Sequence, residues 1–208
     1  QPPSEAERQG DLYYKRGAFH LALPHYERAA SGEPENERVH SRLAETREAL
    51  FKQRLQSSRE SFDQGSAKAG IDAFSRATHE LGAEYPGMDA FADEAYRRAD
   101  SAARAAASRK DFQKAYELQL LVATEFTDER ANATQQLGRI REQWLDRLEA
   151  RAYADEDQRL WGSALLTWSK AAQLDREQEK YVENRERMRE RILERYAFQV
   201  VMPQDTLT

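Results

Sequence analysis

The chain has 208 residues, 39% of them hydrophobic and 33% charged, a net charge of −5 and no cysteine. The acidic balance argues against a duplex nucleic-acid binder, which needs a basic footprint, and the missing cysteines exclude a disulfide framework and a cysteine metal site. So charged a composition is lean for a compact globule and suits a thin array of helices that each keep one face wet.

The opening QPPSEAE reads as a tether over residues 1–3 feeding a helix, with Ser4 as N-cap and Glu7 three residues on completing a capping box. That helix carries Gly10 and Tyr13; Gly17, able to take positive φ at little cost, breaks it. The second helix carries Phe19, Ala22, Tyr26 and Ala29 and stops at Pro34, which cannot continue a helix interior. Small residues on each helix, Gly10 and Ala22, let the backbones approach, and the aromatics Tyr13, Phe19 and Tyr26 fill the wedge beside them. Pro24 costs a hydrogen bond unless it falls in the first turn.

A long helix follows from about 36 to 64, capped by Asn36, with Val39, Leu43, Ala44, Leu50, Phe51, Leu55 and Phe62 as its apolar stripe. Gly65-Ser66 breaks it, and a helix over about 67–82 offers Ala69, Ile71, Ala73, Phe74, Ala77 and Leu81 before the turn Tyr85-Pro86-Gly87. The third hairpin, about 88–126, has a small-residue face of Ala95, Ala99, Ala102, Ala103 and Ala106 beside Phe91. Its second helix is capped by Asp111, and Phe112, Ala115 and Val122 repeat the spacing of Phe19, Ala22 and Ala29, with Gln119 where Tyr26 stood. The fourth, about 128–174 with Asp128 as a cap, runs through Leu137, Ile140, Trp144, Leu145 and Leu148; Trp161, Ala164, Trp168 and Ala171 then reproduce Phe19, Ala22, Tyr26 and Ala29 position for position. A charged closing helix over 177–196 has Tyr181, Met188, Ile192 and Tyr196 as its apolar line, as suits the end of an array. Phe198, Val200 and Val201 then suit an extended strand, so 197–208 reads as a tail or as the start of a following domain.

The order Gly10, Tyr13, Ala22, Tyr26, Ala29, Pro34 resembles the tetratricopeptide (TPR) repeat, whose pattern runs W-x2-L-G-x2-Y, then A-x3-F, then P. The resemblance implies an all-α, right-handed TPR-like solenoid of about four and a half antiparallel helical hairpins, some with over-long helices. It also implies a protein-binding concave groove lined by the first helix of each hairpin. Carried onto this chain, the groove residues are Glu7, Asp11, Tyr14 and Lys15 in hairpin one, Arg97, Asp100 and Arg104 in hairpin three, and Asp146, Glu149 and Tyr153 in hairpin four. In the fourth, Arg151 and Asp155 fall where the family places apolar residues. A mixed-charge groove with tyrosines suits a peptide or helix held by hydrogen bonds and rigid aromatics. It lacks the run of Lys and Asn of TPR carboxylate clamps, so acidic C-terminal peptides are not implied there.

Nothing in the sequence reads as catalytic or metal-binding. His20, His25, His40 and His79 lack partners at ligand spacing, and His79-Glu80 lacks the second histidine of HExxH. No serine sits in G-x-S-x-G, and no Gly-rich phosphate loop is present. Asp155, Glu156 and Asp157 suit a solvated helix corner. The expectation is a non-catalytic scaffold without cofactor, binding a protein or peptide, with no nucleic acid and no membrane-spanning segment. The alternative is a stalk or homodimerisation arm for a domain following residue 208. A chain beginning at Gln1 rather than methionine is what a processed secretory protein, or a bacterial lipoprotein trimmed of an anchor upstream of Gln1, would show; a recombinant fragment would begin the same way. The corresponding setting is an envelope assembly or secretion system, periplasmic or at the outer membrane, with a cytoplasmic location as the alternative.

Overall fold

The computed structural model describes residues 2–127 and 129–200, the last five by backbone alone. The described residues form nine α-helices and no strand: α1 (Glu5–Lys15), α2 (Phe19–Gly32), α3 (Glu37–Asp63), α4 (Ala67–Leu81), α5 (Met88–Ser108), α6 (Phe112–Glu125), α7 (Arg130–Asp157), α8 (Trp161–Leu174) and α9 (Glu179–Val200). Consecutive helices pack on one another throughout, and α3 with α5 and α4 with α6 add further packing.

Local chemistry explains the starts of three helices. Ser4 Oγ accepts from the Glu7 amide at 3.3 Å, Asn36 Oδ1 from Val39 at 3.4 Å, and Asp111 Oδ1 from Lys114 at 3.3 Å. The capping box at Ser4 is only half made, because the Glu7 carboxylate is drawn instead to Arg38, 2.8 Å away. Asp128, expected to cap α7, lies outside the described residues.

The turn inside each hairpin has one geometry repeated four times. The amide of the left-handed residue reaches back three carbonyls and the next amide five: Gly17 to Tyr14 with Ala18 to Tyr13, Gly65 to Phe62 with Ser66 to Ser61, Lys110 to Ala107 with Asp111 to Ala106, and Arg159 to Glu156 with Leu160 to Asp155. This is the Schellman closure of a helix C-terminus. Glycine supplies its positive φ twice, but Lys110 (φ 63°) and Arg159 (φ 59°) adopt it without that freedom.

Counted from these turns, the second helix of every hairpin carries the same buried line. Ala22, Gly70, Ala115 and Ala164 come first, then Tyr26, Phe74, Gln119 and Trp168, then Ala29, Ala77, Val122 and Ala171, all buried. In the first two hairpins a glycine lets an aromatic ring of the paired helix come close. A Cβ built on Gly10 would lie 2.9 Å from Tyr26 Cε1, and one on Gly70 would lie 2.5 Å from Phe62 Cε2. Larger side chains then fill the space between hairpins, as where Phe74 stacks on Phe126 and meets Phe91 edge-on, with centroids 5.0 and 5.3 Å apart.

Several expectations shift. Ala44 and Ala69 face solvent; the buried places nearby belong to Thr46, whose hydroxyl donates to the Arg42 carbonyl (2.7 Å), and to Gly70. Pro24 is interior to α2, so the His20 carbonyl loses its intrahelical donor. The closing helix takes in Phe198 and Val200, where an extended strand was expected. Strand preference is largely a fit to a neighbouring pleated surface, and the described residues offer none. Val201 and the rest of the tail lie outside the described residues, as does the side chain of Tyr196.

Candidate partner-binding surface

The odd-numbered helices are joined one to the next by polar side-chain pairs. Glu7 of α1 pairs with Arg38 of α3 at 2.8 Å. Arg59 of α3 holds Glu94 of α5 through both Nε and an Nη (2.9 and 2.7 Å), and Asp63 accepts from Arg98 at 2.7 Å. Tyr96 of α5 accepts from Asn132 of α7 at 2.8 Å. Glu149 and Glu156 of α7 pair with Lys180 and Arg187 of α9. Partners in all six pairs stand between 31 and 36 residues apart. The two-point grip of Arg59 holds the Glu94 carboxyl below the usual carboxylate range, and Glu149 raises the Lys180 ammonium above its ordinary value. A better shielded pair, Arg54–Glu80, ties α3 to α4 at 2.6 Å with side chains 15% and 22% exposed.

Against this frame the ten residues expected in the groove divide into two sets. Glu7 is only 2% exposed. Removed from water, its carboxylate needs Arg38 as partner, so it serves the α1–α3 junction and is not open to a ligand. Asp11 accepts the Tyr26 hydroxyl at 2.6 Å and is likewise occupied within its hairpin. Burial and that carboxylate together push the Tyr26 hydroxyl well above the usual tyrosine value. Tyr14 is half-buried, edge-on to Phe19 (5.2 Å) and beneath the Arg42 guanidinium (5.8 Å). Asp100 is 8% exposed, its Oδ2 on Arg104 at 2.7 Å and its Oδ1 without a partner. Glu149 is half-buried and taken by Lys180.

Lys15, Arg97, Arg104, Asp146 and Tyr153 are exposed. Tyr153 is 42% exposed yet braced edge-on by Trp168 at 5.1 Å, an aromatic with a fixed back and a wet front. Within the expected set, Asp100 and Arg104 form an ion pair at 2.7 Å. Among the described residues, no hydrogen bond or ion pair links the sets of α1, α5 and α7 to one another.

Sequence reasoning passed over Arg38, Arg42, Arg59, Asp63, Glu94 and Arg98, which connect successive odd helices. The available signal was opposite charges recurring roughly one 34-residue repeat apart on predicted wet faces. It is faint in a chain where a third of all residues are charged.

Among the described residues, no group of three or more His, Asp or Glu could hold a metal, and no helix is long and apolar enough to cross a membrane. No protein-family model matches the chain, and no curated protein matches it.

Proposed function

We propose that the chain is a non-catalytic protein-interaction scaffold, built as a right-handed TPR-like solenoid of about four and a half hairpins. Its concave surface would be the exposed side of the odd-numbered helices. The observation that carries this reading is the run of pairs joining α1 to α3, α5, α7 and α9 in turn at separations of 31–36 residues. The recurrence of such pairs from each odd helix to the next is what a repeated helical hairpin with its first helices side by side would produce. The recurring turn and the recurring small–aromatic–small line of the second helices support the same reading. A partner would then meet Arg97 and Arg104 on α5, Asp146 and Tyr153 on α7, and Lys15 at the end of α1, around rigid aromatic edges.

The test is affinity capture with the whole chain beside an Arg97→Glu/Arg104→Glu variant. Arg97 is exposed and makes no ion pair among the described residues, whereas Arg104 holds the nearly buried Asp100, so the double variant should lose stability and Arg97→Glu alone carries the test if the pair does not fold. A partner held by the parent and lost by this still-folded variant supports the reading. Equal capture by both, or by neither, removes α5 from the binding surface and favours a structural arm.

A further inference from the structure

A cleft of about 350 Å³ opens between the α5–α6 turn, α7 and α8. Arg147 and Arg151 leave α7 toward it, on a different side of that helix from Asp146, Glu149 and Tyr153. The floor is apolar, with Phe112 half-buried and Trp144 nearly covered. Four cations surround it: Lys110, Arg147, Arg151 and Lys170. Lys170 is held in place, its Nζ 5.0 Å above the Trp144 ring and donating to Gln113 Oε1 at 2.7 Å. Lys110 projects from a residue locked in the left-handed conformation of the turn.

The carboxylates nearby are committed elsewhere. Asp111, the one carboxylate lining the cleft, accepts from the Lys114 amide at the start of α6. Asp155 accepts the Ser163 hydroxyl at 2.6 Å and reaches Arg151 only at 3.9 Å. Among the described residues, Lys110, Arg147 and Lys170 make no ion pair. The cations between successive odd helices, by contrast, face a carboxylate on the neighbouring helix. In a chain of net charge −5, this is positive charge gathered around an apolar floor, with three of the four cations outside any ion pair among the described residues. Leu166, 74% exposed, adds a bare aliphatic surface at the mouth.

We propose that this cleft docks an acidic peptide segment of a partner protein. An aliphatic side chain of the segment sits over Phe112 beside Leu166, and its carboxylates reach the four surrounding cations. A small inorganic anion would leave the floor and Leu166 uncovered. A nucleic-acid strand would meet the repulsion of the chain's overall negative charge beyond these four residues. An acidic segment with apolar side chains answers both features, and charge complementarity sets its orientation and its rate of association. The site shares no residue with the scaffold surface proposed above, so either can fail without the other.

The experiment uses the whole chain and a fluorescein-labelled peptide of alternating glutamate and leucine, read by fluorescence anisotropy. A matched peptide with lysine in place of every glutamate is the control. Saturable binding of the acidic peptide is expected, weakened by added salt. Loss of about tenfold or more in affinity is expected for Arg147→Glu/Lys170→Glu, a smaller loss for Arg147→Gln/Lys170→Gln, and none for Arg28→Glu/Arg76→Glu, two exposed arginines on α2 and α4 away from the cleft. Circular dichroism and melting show which variants are folded, and the glutamine pair carries the test if the glutamate pair is not. The proposal is overturned if the parent does not bind the acidic peptide, if the lysine peptide binds equally well, or if folded cleft variants bind undiminished. Self-association of the parent that the cleft variants abolish, without peptide binding, would give the cleft to a second copy of the chain and overturn it too.

Discussion

Adding one methyl group at Gly10 separates the packing described here from mere helix content. In a helix interior, alanine is favoured over glycine by about 0.5–1 kcal/mol. The new Cβ, however, would sit 2.9 Å from Tyr26 Cε1 and 3.0 Å from Cδ1 and Cζ. Tyr26 has no exposed surface, and its hydroxyl is fixed on Asp11 at 2.6 Å, so the ring has little room to give way. Overpacking of this kind costs about 1–3 kcal/mol, which offsets or outweighs the propensity gain and leaves Gly10→Ala about 0–2.5 kcal/mol less stable than the parent. Gly138, inside α7, is the control, since no atom outside its own helix lies within 4 Å of its would-be Cβ. Gly138→Ala should therefore show only the gain, about 0.5–1 kcal/mol. Urea unfolding by far-UV circular dichroism, with hydrogen exchange of α1 and α2 amides to catch local opening, measures both. If Gly10→Ala were as stable as Gly138→Ala, α1 and α2 would not pack through this face and the hairpin register would be wrong.

Trp168→Ala should cost about 3–5 kcal/mol in the same assay, because the indole is fully buried and its Nε1 donates to Glu156 at 2.7 Å. Gln119→Met should stabilise the chain by about 1 kcal/mol, since the buried Gln119 Oε1 has no partner and its Nε2 only a 3.5 Å contact with the Ala133 carbonyl; an unchanged or lower melting temperature counts against this. Arg159→Gly should raise stability by roughly 1 kcal/mol by relieving the left-handed backbone at φ 59°, and a loss would show that the arginine side chain matters more than the strain. As pH rises past the ordinary tyrosine value of about 10, the unfolded chain gives up phenolic protons that folded Tyr26 retains. The native state then binds more protons than the unfolded one, so stability is intact below that pH and falls above it. In alkaline melts Tyr26→Phe should show a shallower fall than the parent, and an identical slope would place the effect at other tyrosines.

What the sequence revealed depended on how plainly each residue announces its geometry. Helix boundaries around Asn36, Gly65 and Asp111 were readable because capping and turn residues act locally, through one or two hydrogen bonds. The second hairpin hid its repeat. Gly70 takes the small position of Ala22 and Ala67 the aromatic position of Phe19, so Phe74 and Ala77 show their equivalence only when counted from the Gly65 turn. The turns at Lys110 and Arg159 gave no glycine signal, since the backbone hydrogen bonds that close α5 and α7 hold a conformation these residues' own preferences oppose. The candidate surface was the least legible. Whether Glu7 faces solvent or Arg38 is decided by a helix 31 residues away, and nothing within its own turn encodes that.

The two intervals in the chain explain one another. The hairpin turns recur roughly every 45–50 residues, longer than the 34 of the repeat they resemble, whereas pairs between successive odd helices stand 31–36 residues apart. The long first helices account for the difference, α5 at 21 residues and above all α3 and α7 at 27 and 28, which each serve two neighbours with different halves. In α3, Arg38 and Arg42 meet α1 while Arg59 and Asp63 meet α5, on the order of 30 Å further along the helix axis. In α7, Asn132 meets α5 while Glu149 and Glu156 meet α9. Consecutive odd helices are therefore displaced along their axes as well as sideways, and the surface they offer is stepped. On such a surface the exposed residues of α5 and of α7 belong to different steps. A short peptide would engage one step, and only an elongated partner would bridge two. Paired variants on α5 and on α7 would then weaken an elongated partner independently, whereas a short ligand would respond to one pair and ignore the other.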